Sequence, residues 1–184
     1  MQNQGYIVFP TVLGHCGLAW GVKGIRRLQL PSADAAETER LLVRRVPSLS
    51  VAAPDAELRS IIDRIVRYFA GEAMDFSKMP VDVPDAEPFH RDVYEAVRLI
   101  GWGSTTTYGA IARALGSGPE KARDVGQAMA KNPVPLIIPC HRVLAAGGRL
   151  GGFSAPGGAT TKLRMLALEN AGRTADDEAQ GSLF

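Results

Sequence analysis

The hydrophobic positions of the chain fall into two regimes. From Tyr6 to Leu30, short apolar stretches alternate with glycine, and LAWGVKGIRRLQL reads as two strands around a turn at Gly21 to Gly24. Beyond that the period lengthens. Ser32 is placed to cap a helix running to about Val46. A second helix is marked more sharply: Asp55 stands at its cap, and Leu58, Ile61, Ile62, Ile65, Val66 and Phe69 recur at i, i+3, i+4, i+7, i+8 and i+11. A stripe of that kind has to cover an apolar surface, most simply the sheet.

DFSKMPVDVPDAEPF then carries three prolines and four acidic residues with no period, and it predicts a domain boundary. The expected division is 1–85, a small mixed α/β supporting domain; 86–171, a mostly helical domain; and 172–184, a polar tail. In the second domain Phe89, Val93, Ala96, Val97 and Ile100 form a helical stripe that stops at Gly101-Trp102-Gly103. STTTYGAIARALGSGPEKARDVGQAMAKNP follows with the organisation of a helix-turn-helix. Thr106 or Thr107 caps a first helix whose Ile111, Ala112 and Leu115 face inward, Gly116-Ser117-Gly118 turns the chain, and Pro119 opens a second helix. Asn132 before Pro133 ends it. Ala122, Gly126, Ala128 and Ala130 keep this second helix narrow, which suits close approach to another surface and tight helix packing alike.

Composition narrows the class. The chain has 184 residues, 46% of them hydrophobic, which is enough for a sizeable core. No apolar run reaches the roughly 18 residues needed to span a bilayer, and MQNQGYIVFP lacks the plan of a signal peptide, so a cytoplasmic protein is expected. Two cysteines make neither a disulfide framework nor a four-ligand zinc site, and Cys16, beside His15, reads as a buried structural thiol. Net charge is only +2, but Lys121, Arg123, Lys131, Arg142, Arg149, Lys162 and Arg164 face only Glu120 and Asp124 between positions 119 and 164. That local excess suits a polyanion, or simply a solvated basic face.

The remaining feature is chemical. Pro-Leu-Ile-Ile-Pro-Cys-His-Arg-Val, from Pro135 to Val143, sets a cysteine and a histidine at the end of an apolar run. A thiol is nucleophilic as thiolate and needs a base, yet neighbours on an extended chain point to opposite sides. Direct proton transfer between Cys140 and His141 is therefore not assured by adjacency.

NPVPLIIPCHRV, preceded by TYGAIARALG and KARDVGQAMAK and followed by GGFSAPGG and TKLRMLALE, resembles the O6-alkylguanine-DNA alkyltransferase (methylated-DNA–protein-cysteine methyltransferase) family. The resemblance runs from about Phe89 to Glu169 and is weaker in GHCGLAWGVKGIRRLQLP. It implies an α+β fold: an antiparallel, ribonuclease H-like sheet domain, then a winged-helix-like DNA-binding domain with the helix-turn-helix. It also implies a single-turnover repair reaction without cofactor, in which the alkyl group on O6 of a damaged guanine, or on O4 of thymine, moves irreversibly to Cys140.

Each role follows by resemblance. His141 is the base, acting through a water, and Glu169 holds the far side of its imidazole. Tyr108 donates to guanine N3. Arg123 enters the base stack from the minor groove as the damaged nucleotide flips out, with Ala122, Thr107, Gly126 and Lys131 on the DNA side. Asn132 ties the recognition helix to the cysteine segment, and Met129, Val143, Phe153 and Ser154 form the pocket wall. Phe153-Ser154-Ala155-Pro156-Gly157-Gly158 departs from the usual tyrosine-containing loop, so preference for methyl or bulkier alkyl groups is not carried over. The zinc site of animal relatives is not carried over either, because its cysteines are missing. A lesion-binding protein without transfer, a cysteine hydrolase and a methylation-controlled regulator are the competing classes. Finally, QGSLF resembles the peptides that dock on the bacterial sliding clamp through positions like Gln180, Leu183 and Phe184. The partners expected are lesion-bearing duplex DNA and that clamp, with a monomeric protein, no membrane and no metal.

Overall fold

The computed structural model describes residues 3–32 and 34–170. Three antiparallel strands, β1 (Gly5–Thr11), β2 (Gly14–Gly21) and β3 (Gly24–Ser32), form a sheet in the order β1-β2-β3. The turn expected at Gly21 to Gly24 is present, and a second hairpin precedes it. Its tip carries Val12 and Leu13, both solvent-exposed, so apolar residues mask the turn in the hydrophobic pattern. Gly14 marks it instead: its φ is +120°, and a Cβ there would lie 2.3 Å from the Ser32 carbonyl oxygen.

The first helix, α1 (Ala35–Val43), corrects the expected cap. Ser32 is still in strand β3, and Asp34 caps the helix by accepting from the Glu37 N–H at 2.7 Å. The helix also stops at Val43, short of Val46. The next helix, α2 (Ala56–Phe69), begins as expected, with Asp55 Oδ1 accepting from the Leu58 N–H at 2.9 Å. It buries Leu58, Ile61, Ile65, Tyr68 and Phe69, while Ile62 and Val66 pack at the edge of the same core.

The proline-rich segment has no long element of its own but is fastened to the sheet. The Ile25 N–H donates to Pro80 O and the Asp82 N–H to Ile25 O, both at 2.9 Å. Phe76 and Met79 enter the core. The third helix, α3 (Pro88–Arg98), buries His90, Val93, Tyr94 and Val97. A two-residue strand β4 (Thr106–Thr107) leads into α4 (Tyr108–Ala114), capped by Thr107 rather than Thr106, with Oγ1 accepting from the Ala110 N–H at 3.1 Å. Pro119 opens a single 3-10 turn, Pro119–Lys121, and α5 (Ala122–Ala130) follows. Strand β5 (Val143–Leu144) and helix α6 (Gly158–Leu168) complete the elements of the described residues. One cluster of buried side chains runs from Phe9 and Trp20 on the sheet, through Ile65 and Tyr68, to Val97, Met129, Cys140 and Met165.

Candidate active site

The cysteine segment is held by a short ladder and one amide. Strand β5 pairs in parallel with β4, Thr106 opposite Val143 and Thr107 opposite Leu144. Tyr108, the next residue after β4, is thereby fixed beside the turn Cys140–Arg142. Asn132 stitches the apolar run from within: its Nδ2 donates to Ile138 O at 2.8 Å, and its Oδ1 accepts from the Val134 N–H at 2.9 Å. The loop so closed holds Leu136 at φ +77°, a left-handed conformation that costs a leucine about 1 kcal/mol or more. Burial of the Leu136 side chain among core residues offsets that strain.

His141 is fully buried, and its Nε2 lies 2.8 Å from Glu169 Oε1. Glu169 also accepts from Tyr68 Oη at 2.8 Å and from Arg142 Nε and Nη2 at 2.8 and 2.9 Å. Burial by itself would raise its pKa, but the hydrogen bonds from His141 and Arg142 hold it down to about 2. An ionised carboxylate can only accept, so His141 must present N–H at Nε2 and keep its lone pair at Nδ1. Burial lowers the His141 pKa, which favours that neutral form, and Nδ1 has no hydrogen-bond partner among the described residues.

Cys140 is buried, and burial raises its pKa. Opposing that, the Asn132 amide, the Lys162 charge and the backbone N–H groups of Cys140 and His141 favour thiolate. No hydrogen bond joins the side chains of Cys140 and His141 among the described residues. Lys162 is fully buried, with Nζ donating to Val143 O at 2.6 Å and lying 5.9 Å from the centre of the Tyr108 ring. Burial lowers its pKa, and the nearby thiol works the other way. Tyr108 is half-buried, and burial raises the pKa of its phenol. A cleft of about 390 Å³ opens on Cys140, walled by Asn132, Pro135, Phe153, Ser154, Ala155 and Pro156 on one side. Met129 and Val143 are buried in the core beneath.

Helix α5 turns Val125, Ala128 and Met129 inward and leaves Ala122, Arg123 and Gly126 at least partly accessible. A Cβ at Gly126 would meet nothing within 4 Å. Arg123 is exposed and has no ion-pair partner among the described residues. Lys131, expected on the same DNA side, is exposed and pairs with Glu87 Oε1 at 3.0 Å. The basic excess counted along 119–164 is likewise smaller on the surface than in sequence. Arg142 and Lys162 are buried, and Lys121 pairs with Asp124 at 2.8 Å.

Three site residues escaped the sequence reading. Tyr68 lies within the α2 apolar period and looks like core. Arg142 and Lys162 look like surface charge, though an arginine directly after the Cys-His pair was a signal that the same carboxylate could have two neighbouring donors. Gln180, Leu183 and Phe184 lie outside the described residues.

Residues 88–171 match the model of the 6-O-methylguanine DNA methyltransferase DNA-binding domain. Over 166 residues, 88% of the chain, it is 38% identical to a DNA base-flipping protein of Thermus thermophilus and spans 97% of it. A methylated-DNA–protein-cysteine methyltransferase of Sulfolobus acidocaldarius is 38% identical over 89% of this chain and 92% of its own length. The structure of Mycobacterium tuberculosis OGT in complex with DNA superposes with a TM-score of 0.68 at 27% identity, covering 94% of this chain and 96% of that one. By sequence across nearly its whole length, and by fold, the chain belongs to the O6-alkylguanine-DNA alkyltransferase family.

Proposed function

We propose that the protein repairs DNA by moving an alkyl group from O6 of guanine to its own Cys140, once per molecule. The observation that carries this reading is a buried thiol in an open cleft, next to a neutral histidine whose Nε2–H is fixed by Glu169 and whose Nδ1 lone pair is unengaged. Cys140 loses its proton toward His141 Nδ1, through one water, and Sγ attacks the alkyl carbon in line with the C–O6 bond. The S–C bond forms as the C–O6 bond breaks, and the electron pair stays on guanine. Tyr108 donates at N3 to offset that charge, so the thiol proton is balanced by one taken up at the base. Lys162, buried beside the thiol, favours the thiolate without touching the lesion.

The target atom is inaccessible in a stacked duplex, so the nucleotide has to flip, at a cost of a few kcal/mol. Helix α4, its turn and α5 are suited to act as a helix-turn-helix in the minor groove. Arg123 then fills the vacated stack, and the small Ala122 and Gly126, with Thr107 at the start of α4, allow close approach. On this reading residues 86–171 carry the reaction and 1–85 support them, in a cytoplasmic monomer that needs no cofactor. The tail QGSLF is a candidate clamp-docking peptide: deleting Leu183 and Phe184 should abolish micromolar binding to the sliding clamp.

The decisive experiment is the mass of the protein after incubation with duplex containing O6-methylguanine. One methyl group on the intact protein and none on Cys140→Ala is expected; repeated turnover with unmodified protein would contradict the reading. A relative named as a base-flipping protein raises a second reading, lesion binding without transfer. Cys140 on the cleft wall favours transfer, and the same mass measurement separates the two.

A further inference from the structure

The cleft that reaches Cys140 has a second wall, contributed by the N-terminal half: Arg27, Leu28, Gln29 and Leu30 of β3, with Glu37, Leu41 and Arg45 from α1 and the residues just after it. The Leu28 N–H donates to Pro133 O at 3.1 Å, which seats β3 directly on the segment that leads to Cys140 and sets Arg27 and Gln29 on either side of that joint. Arg27 is half-buried. Its Nε is closed off from solvent and has no hydrogen-bond partner among the described residues. Neither Arg27 nor Arg45 has an ion-pair partner there, and the two charges repel each other. The remaining polar groups on this wall are engaged: Gln29 Nε2 donates to Leu30 O at 3.2 Å, and Glu37 faces Arg40 at 3.7 Å.

A guanidinium stays protonated, and a buried N–H without an acceptor is unfavourable. Arg27, with that buried N–H, and the exposed Arg45 beside it, neither of them ion-paired among the described residues, form a receptor for an anionic oxygen group. Two sources could present one in this cleft: the far end of the O6 substituent, or a phosphate of the DNA strand. The wall shares its cleft with the acceptor thiol, which favours the substituent.

Resting on the transfer reading above, we propose that Arg27, assisted by Arg45, recognises a carboxylate at the end of the O6 substituent, so that O6-carboxymethylguanine is preferred over neutral adducts of similar length. The chemistry is unchanged. Cys140 Sγ bonds to the methylene carbon as the C–O6 bond breaks, the pair leaves on guanine with one proton taken up, and the carboxylate remains ionised throughout.

The test compares single-turnover transfer from otherwise identical duplexes carrying O6-methyl-, O6-(2-hydroxyethyl)- or O6-carboxymethylguanine, using the full-length protein, Arg27→Gln and Arg45→Gln. A charge-assisted hydrogen bond of the usual strength corresponds to about tenfold or more in rate. Arg27→Gln should lower the carboxymethyl-to-hydroxyethyl rate ratio by about that factor and Arg45→Gln by less, with methyl transfer nearly unchanged. An unchanged ratio overturns the proposal. Equal losses on all three duplexes, with weaker DNA binding, assign the wall to phosphate and overturn it too. A second measurement does not depend on the variants folding. With free nucleobases, which carry no phosphate, the intact protein should keep its preference for the carboxymethyl over the hydroxyethyl base, and loss of that preference overturns the proposal. Absence of transfer from every substrate would instead overturn the transfer reading itself.

Discussion

Glu169 gathers donors from three directions: Tyr68 of α2, His141 and Arg142 of the cysteine turn, and, more distantly, the Gly103 N–H at 3.4 Å. Its folded pKa of about 2 lies below its usual value near 4.5. A depressed carboxylate contributes stability that is present above the unfolded pKa and is lost as pH falls through the folded one. The stability difference between the wild type and Glu169→Gln, read from urea midpoints, should therefore be largest near neutrality and shrink from about pH 4.5 toward about pH 2. A difference that stays constant over that range would show that the carboxylate is not held ionised in the fold. A second prediction concerns Gly151. A Cβ there would lie 2.4 Å from Tyr108 Oη, so Gly151→Ala must displace the phenol from its present position. Misplacing a donor in the transition state by an ångström costs on the order of a hundredfold. Single-turnover methyl transfer should slow accordingly, with duplex binding retained; a transfer rate equal to wild type would remove Tyr108 from the reaction.

Helix α2 shows which parts of an element were legible in the sequence and which were not. Its cap and inward face follow from Asp55 and the i, i+3, i+4 recurrence, because capping and amphipathic burial are local. The task of Tyr68 is not local: its partner Glu169 is 101 residues away, and only the packed molecule brings the two together. The same limit explains Arg142 and Lys162, which look like surface charge until tertiary contacts bury them. It also explains α1, where Ser32 and Asp34 both satisfy the capping preference and the length of β3 decides between them. Tyr68→Phe tests the element directly. It removes a hydrogen bond to a buried charge, worth about 1.5 to 3 kcal/mol, and chemical denaturation should show a loss of that size. If Tyr68 also positions the histidine through Glu169, the pH profile of methyl transfer should move, whereas the neighbouring Phe69→Leu should lower stability and leave that profile in place.

At the scale of the whole molecule, Cys140, the proposed acceptor, belongs to the same buried cluster that joins the sheet, α2 and the C-terminal helices. Cys140 is only 6% exposed, and its segment is closed by Asn132, by the β4–β5 pairing and by a left-handed Leu136. The proposed reaction replaces the thiol proton with an alkyl group in this close-packed place, and removes the negative charge that Asn132 and Lys162 favour. Adding a methyl to a filled core costs about 1 to 3 kcal/mol, because neighbours must leave their preferred rotamers or the backbone must shift. For a chain of this size, each kcal/mol corresponds to roughly 2 to 4 °C in melting temperature. Protein methylated at Cys140 should therefore melt several degrees below unreacted protein, with a larger drop for longer alkyl groups that still leave the thiol buried. Calorimetry before and after reaction with lesion-bearing duplex, freed of DNA in both cases, reads the difference, and Cys140→Ala taken through the same treatment should show none. Equal melting temperatures for reacted and unreacted protein would mean that the site holds room for the alkyl group in advance, and that the segment from Asn132 to Val143 does not couple the reaction to the stability of the fold.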